Sequence, residues 1–245
     1  MPAAAVLLDY ILTASGVGDL QACAWALREG VLLELAGVGG DRAPTAAVIR
    51  RRSVQELATR FGSRQTHAQS VRRLALRLFD ALGEALALPR SLRELLEYAA
   101  MLHDVGDIVD HDRHHQHSSY LIRNAELLHF EPNEIELIAQ VVRAHRKQVP
   151  KPNAPELAAL PLPLRAHVRR LAALLRVADA LDRTHAGVIV DLRVRQAQDA
   201  VTIDVVTRGA GADLELWAAT RRTDGLARLL GKPVTLARAG RRRAR

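Results

Sequence analysis

Cysteine is almost missing from this chain: Cys23 is the single one in 245 residues. That excludes an intramolecular disulfide and a zinc site built on thiolates. Aromatic residues are scarce as well, at 3%, so a core must be built from Ala, Leu and Val, a composition that leans towards helix. No apolar run is long enough to span a bilayer, and no membrane partner is expected. The N-terminal run MPAAAVLLDYILTASG carries Asp9 inside it and lacks a basic start, which makes it a poor signal peptide. A soluble, cytoplasmic protein is the expectation. Negative charge is also in short supply: the formal net charge is +8, with Arg supplying nearly all the cations. Such an excess favours an anionic, phosphate-containing partner. Part of it lies in the tail Arg241 to Arg245, which reads as disordered, so nucleic acid is not expected as a specific partner.

What is present divides into segments. Residues 1–41 read as a helix from Ala4 to Ser15, a short strand at Ala22 to Trp25 and a helix from Ala26 to Ala36, closed by the flexible Gly37–Asp41 run. Residues 53–185 read as a series of helices. Ser53 and Glu56 have the spacing of a capping box, and Gly62, Pro89, the polar 110–116 stretch, Pro132 and the proline-rich 150–163 stretch separate the helices from one another. At 186–238 the period changes. VIVDLRVRQ and AVTIDVVT alternate apolar and polar residues around a turn near Gln198-Asp199. LELWAATRRTDGLARLLG then predicts a helix and KPVTLAR a returning strand. Residues 239–245 form the basic tail. The fold class expected is mainly α: a helical bundle with a small C-terminal ββαβ extension and an N-terminal α/β stub.

Five polar residues stand in helical register with apolar stripes. His67 leads Val71, Leu74 and Leu78; His103 closes Leu92, Leu96 and Ala99; His145 closes Ile135, Ile138 and Val142; Asp179 closes Leu171 and Leu175. His117 opens a weaker stripe with Leu121 and Leu128. Each polar side chain should therefore point inward at a helix end. A buried carboxylate is costly unless it is paired or ligates a metal, and five such residues from five helices are most simply explained by one shared divalent-metal site that activates water.

His103 and Asp104 are adjacent, so on a continuous helix they point about 100° apart. Both can reach one metal only near the helix end, where Val105-Gly106 lets the chain bend. Asp104 has the position to bridge two cations. Asp107, three residues on, is a candidate general base or water-orienting group. Arg143, Arg146 and Lys147 flank His145 and are candidates for binding a phosphoryl group and for balancing its charge in the transition state. The histidines at 111, 114 and 115 sit in a polar stretch, where an exposed loop is expected.

The pattern His67 … His103-Asp104 … Asp179 resembles the HD superfamily of metal-dependent phosphohydrolases. Closer still, QTHAQSVRRLALRLFDAL, LRELLEYAAMLHDVGD, HHQHSSYLIRNAELL, RAHRK and LAALLRVADALDRTH resemble the C-terminal helical domain of the Ppx/GppA family, the exopolyphosphatases and guanosine pentaphosphate phosphohydrolases. The similarity runs from about Ser53 onward. Residues 1–41 resemble the end of the actin-like ATPase-fold phosphatase domain that bears the family's catalytic site, and the stub has none of its glycine-rich phosphate loops. That site is therefore not expected here. The resemblance implies an HD-type helical domain in which His67, His103, Asp104 and Asp179 bind one divalent ion and His117 and His145 a second. Mn, Fe, Mg, Zn and Co all suit such ligands.

Two functions compete. The leading expectation is an HD-type phosphohydrolase that cleaves a phosphate ester or anhydride (a nucleotide, (p)ppGpp or polyphosphate) with metal-activated water. The alternative is a non-catalytic polyphosphate- or alarmone-binding module that works with a separate phosphatase domain. A third reading takes the chain as a remnant of a longer enzyme. The apolar stub is too short to fold alone, which leaves room for packing on the helical domain or for a homodimer.

Overall fold

The computed structural model describes residues 2–18, 31–32, 45–62, 65–209 and 211–239. The chain divides into two units, Met1–Thr45 and Ala46–Arg245. In the first, helix α1 (Pro2–Ser15) matches the helix expected there. The expected strand at 22–25 lies outside the described residues, and of the expected 26–36 helix only Val31 and Leu32 are described, both helical. The basic tail beyond Ala239 is also outside them.

The second unit is a helical bundle followed by a small sheet. Its helices are α2 (Ala46–Arg60), α3 (Gln65–Leu82), α4 (Leu92–Leu102), α5 (His114–Arg123), α6 (Pro132–Ala144) and α7 (Leu162–Ala180), with short 3-10 turns at Val105–Ile108 and Pro155–Leu157. Helix α2 starts seven residues ahead of the predicted cap. Ser53 is no N-cap: it lies mid-helix, where its hydroxyl donates to the Arg50 carbonyl at 2.9 Å and accepts the Leu128 amide at 3.3 Å. A buried hydroxyl that finds such partners does not need the helix end. At α6 a capping box does form, between Glu131 and Glu134, behind Pro132 in the first turn.

The apolar stripes meet as their spacing requires. Leu74, Leu78 and Leu82 of α3, Leu96 and Leu102 of α4, Ile138 and Val142 of α6, and Leu171 and Leu175 of α7 are all fully buried in one core. Each such side chain contributes about 1.5–3 kcal/mol by leaving water. Helices α3, α4, α6 and α7 pack on one another, and α5 packs on α6 and on the 3-10 turn that follows α4.

Strands β1 (Ile189–Gln196) and β2 (Val201–Thr207) pair antiparallel, and β3 (Val234–Arg238) returns parallel to β2. The parallel return needs a crossover. It consists of two short helices, α8 (Asp213–Thr220) and α9 (Thr223–Leu230), instead of the one helix that the pattern suggests. The break falls at Arg221-Arg222, and both arginines line a cleft on the side where α8 and α9 pack on α7. The sheet lays Ile189, Leu192, Val201, Ile203 and Val205 against the same core, with α3 packed on β1.

Candidate metal centre

Four histidines and two aspartates converge where α3, α4, α5, α6 and α7 meet. His67 (first turn of α3), His103 (just past α4) and His145 (just past α6) are buried at 1%, 0% and 2% exposure. The His67 and His103 Nε2 atoms lie 3.2 Å apart. So do those of His114 and His145.

Asp104 stands between the two pairs. Helix α4 ends at Leu102, and Asp104 leaves helical geometry at φ −108°, ψ 9°, opening the 3-10 turn Val105–Ile108. This local bend is what lets the His103 and Asp104 side chains face one point. Asp104 Oδ2 lies 3.4 Å from His103 Nε2 and 3.6 Å from His67 Nε2. Its Oδ1 lies 3.3 Å from His114 Nε2 and 3.7 Å from His145 Nε2. Asp179, at the end of α7, completes the first group, with Oδ1 3.5 Å from His67 Nε2 and 3.8 Å from His103 Nε2. Ligands about 2.1 Å from a common ion stand about 3.0–3.4 Å apart, so both groups have the spacing of a slightly relaxed metal site.

The outer nitrogens decide the tautomers. Nδ1 of His103 faces the Ala100 carbonyl at 2.8 Å, Nδ1 of His145 the Val142 carbonyl at 2.6 Å, and Nδ1 of His114 the His111 carbonyl at 2.7 Å. A carbonyl only accepts, so each of these Nδ1 atoms carries the proton. Nδ1 of His67 donates likewise to Asp182 Oδ2 at 2.8 Å. In the neutral rings all four Nε2 lone pairs then point at each other and at two carboxylates. That array suits a divalent cation, and oxygen acceptors behind metal-bound imidazoles are the usual second layer of such a site. The donor set therefore fits one or two divalent ions, with Asp104 as the carboxylate shared between the groups.

Electrostatics agree. Burial is the largest influence on Asp179 and Asp104 and pushes each upward, but the surrounding imidazoles outweigh it and hold both carboxyls below the usual range. Burial pushes His145 down to about 4, with His103 adding to the shift. In His67 burial also pulls downward, yet hydrogen bonds to Asp179 and Asp182 prevail and raise it to about 9, so at neutral pH a proton competes with a cation for its Nε2.

Sequence reasoning named His117 for the second group; the structure puts His114 there, one turn earlier on α5. His114 and His115 are buried at 8% and 3% exposure, not part of an exposed loop, because helix α5 begins at His114 and lies on the 3-10 turn. Gly106 makes that contact possible: a Cβ there would come within 2.3 Å of the Ser118 amide nitrogen and 2.5 Å of the His114 carbonyl oxygen. The Gly106 amide donates to Ser118 Oγ at 2.8 Å. His117, half-buried, belongs to none of the described groups with metal-ligand spacing. Asp107 lies beside the site, its Oδ1 2.5 Å from Nδ1 of the exposed His111. Sequence reasoning also missed Asp182, which is 2% exposed and accepts the Gly187 amide through its second oxygen at 2.9 Å. His185 stacks on His67, ring centroids 3.8 Å apart.

A cleft of about 950 Å³ opens beside Asp179. Arg146, Lys147 and Lys151 reach it from the loop after α6, Arg176 and Arg183 from α7 and the turn beyond, and Arg221 and Arg222 from the α8–α9 break. These seven cations face three carboxylates, Glu156, Asp179 and Asp224, so the cleft attracts anions. Arg146 is tied down: its Nη1 donates to the His111 and Asp112 carbonyls at 2.7 and 2.8 Å, pinning the loop ahead of His114. Lys147 is exposed at the cleft rim, and Arg143 is exposed on the last turn of α6, outside the cleft lining.

The profile of the Ppx/GppA phosphatase family, domain III, matches residues 49–211. The chain belongs to that family. Two guanosine-5'-triphosphate,3'-diphosphate pyrophosphatases are similar to this domain III chain. The protein from Aeromonas hydrophila subsp. hydrophila is 28% identical over 148 residues, 60% of this chain and 29% of the relative. That from Aeromonas salmonicida is 27% identical over the same span and shares. The chain thus covers less than a third of the length of these relatives. The described part is mainly α with a small strand extension, and no described helix is long and apolar enough to cross a membrane.

Proposed function

We propose that this Ppx/GppA domain III chain is an HD-type, divalent-metal-dependent phosphohydrolase acting on a phosphate ester or anhydride. The observation that carries this reading is the set of four outward-anchored imidazoles whose Nε2 atoms converge on Asp104 and Asp179. His67, His103, Asp104 and Asp179 would hold one ion, and Asp104, His114 and His145 a second. Bound there, divalent ions would polarise the phosphoryl oxygens and lower the pKa of the attacking water.

The chain's own residues do the rest. Nδ1 bonds to Ala100, Val142, His111 and Asp182 fix ring orientation in advance, which keeps reorganisation small when charge develops. Asp107 has the position to hold a proton at the edge of the site, Arg146 links the His114 side of the site to the cleft, and Lys147 stands at the cleft rim. The cationic cleft delivers an anionic substrate to the Asp179 side. The names of the relatives support guanosine 5'-triphosphate 3'-diphosphate, and the charge of the cleft is equally suited to other nucleotides and polyphosphate. We read residues 53–185 as the HD-type domain, 186–238 as its α+β extension, and 1–41 as the end of a preceding phosphatase domain.

A second reading, a binding module working with a separate phosphatase domain, is favoured by the excess of cations in the cleft. Metal analysis and a phosphate-release screen on wild-type and Asp104→Ala protein separate the two. Bound divalent metal and metal-stimulated phosphate release, both lost in Asp104→Ala, are expected. Anion binding with neither metal nor release would leave only the binding module.

A further inference from the structure

Arg176 lies on α7 three residues before Asp179, so the two side chains share a helix face and both line the cleft. It is 3% exposed. Its Nε and Nη1 have no hydrogen-bond acceptor among the described residues. Its Nη2 comes only to 4.0 Å from Asp224 Oδ1, while Asp224 makes a closer pair, at 2.9 Å, with Arg228. Burial above all, with Arg222 adding to it, lowers its pKa to about 10, which leaves it charged at neutral pH. A buried guanidinium with idle donors is among the costlier things a protein can hold.

Two other cations of the cleft, Arg146 and Arg222, differ in this respect. Arg146 is engaged by two carbonyls, and Arg222 Nη1 donates to the Arg146 carbonyl at 2.6 Å. That bond ties Arg222 to the loop and holds its charge close enough to Arg176 to depress it. Two neighbouring guanidinium groups that repel each other, one lacking acceptors, make a receptor for a group with several anionic oxygens in one plane face.

We propose that Arg176, assisted by Arg222, grips the phosphoryl group of the substrate, and that Asp224 is the internal carboxylate which that group displaces. The proposal rests on the phosphohydrolase reading for the kind of ligand but not for the metal. Displacement is easy for Asp224 because Arg228 retains it. The gripped phosphoryl group then lies one helical turn from Asp179, beside the metal centre. Arg176 binds and orients; it takes no proton.

The test is equilibrium binding by calorimetry to EDTA-treated protein, with orthophosphate, AMP and tripolyphosphate as ligands, together with melting curves. Arg176→Met should weaken all three by about tenfold or more, the scale of a lost charge-assisted bidentate contact. Arg176→Lys should recover only part of it, because an ammonium cannot present the planar fork. Asp224→Asn should tighten binding. Arg195→Met, which removes an exposed cation of β1 paired with Asp204, should stay within about twofold of wild type.

Arg176→Met should also melt no lower than wild type, since it removes a buried unpaired charge. An arginine with a merely structural role would give a lower midpoint. Wild-type affinity in Arg176→Met, or a loss confined to tripolyphosphate, would overturn the assignment. So would a lower midpoint combined with weaker binding in Asp224→Asn. Arg176-dependent phosphate binding in a protein without metal-stimulated hydrolysis would defeat the hydrolase reading and leave this one standing.

Discussion

Asp182→Asn is the most discriminating change at the candidate metal centre, because it alters no proposed ligand. Both Asp182 oxygens receive a donor: His67 Nδ1–H at 2.8 Å and the Gly187 amide at 2.9 Å. An amide of the same shape has one acceptor oxygen and one donor group. In the variant either the imidazole or the Gly187 N–H faces an NH₂, in a site 2% exposed. The negative charge that strengthens His67 as a ligand is lost as well. Changes of this kind behind a metal-binding imidazole weaken metal affinity about 10–100-fold, or about 1.4–2.7 kcal/mol. Linkage turns this into a melting experiment. With metal at 100 times the wild-type Kd, wild type gains about 2.7 kcal/mol, and the variant about 0.4–1.4 kcal/mol. For a domain of this size the corresponding midpoint shifts are about 5–11 °C and about 1–6 °C. Equal metal-induced shifts, or equal affinities in a chelator competition, would refute the claim that Asp182 supports a metal through His67.

The same geometry sets further outcomes. His114→Ala should lose one equivalent of bound metal by elemental analysis while His117→Ala keeps the wild-type stoichiometry; the reverse would restore the sequence-based choice. Gly106→Ala should destabilise the protein by about 1–3 kcal/mol or more in urea titration, since its Cβ would meet the backbone of α5 at 2.3–2.8 Å. It should weaken metal binding too, because the same contact seats His114. Glu136 has its carboxyl lowered: burial opposes the shift, and the Arg123 guanidinium, 2.6 Å away, and Gln140 prevail. A lowered folded-state pKa stabilises above the unfolded value and is lost as pH falls through the folded one. Glu136→Gln should therefore cost stability at pH 7 and converge with wild type in acid below the ordinary Glu range, as read from urea midpoints across pH.

Much of the centre was legible because helix periodicity is a one-dimensional signal. The 3.6-residue repeat places His67, His103, His145 and Asp179 on the inward faces of α3, α4, α6 and α7 whatever their neighbours are. The motifs around them, QTHAQ, LHDVGD and RVADALDRTH, also carry the family. Likewise, the shift to a two-residue period marked β1 and β2. The break between α8 and α9 was not legible, since LELWAATRRTDGLARLLG is amphipathic throughout and holds no proline. Nor was the start of α2, where a Ser at capping distance from a Glu occurs inside a helix.

The amino-acid sequence by itself determined which side chains turn inward and at which helix ends, because helical register depends only on neighbours in the chain. The partners they meet depend on how helices cross. Gly106 lets α5 lie on the turn after α4, so His114 enters the centre while His117, with a stripe of its own, belongs to neither group. The turn beyond α7 brings Asp182 behind His67. The packing of α8 and α9 on α7 buries Arg176, an arginine that reads in sequence like any other solvated cation on an Arg-rich chain. Register is local, whereas burial and the company a charge keeps are set by contacts between residues far apart in sequence. That is why the proposed metal ligands could be read mainly from the sequence, and the residues proposed to support them and to grip an anion only from the fold.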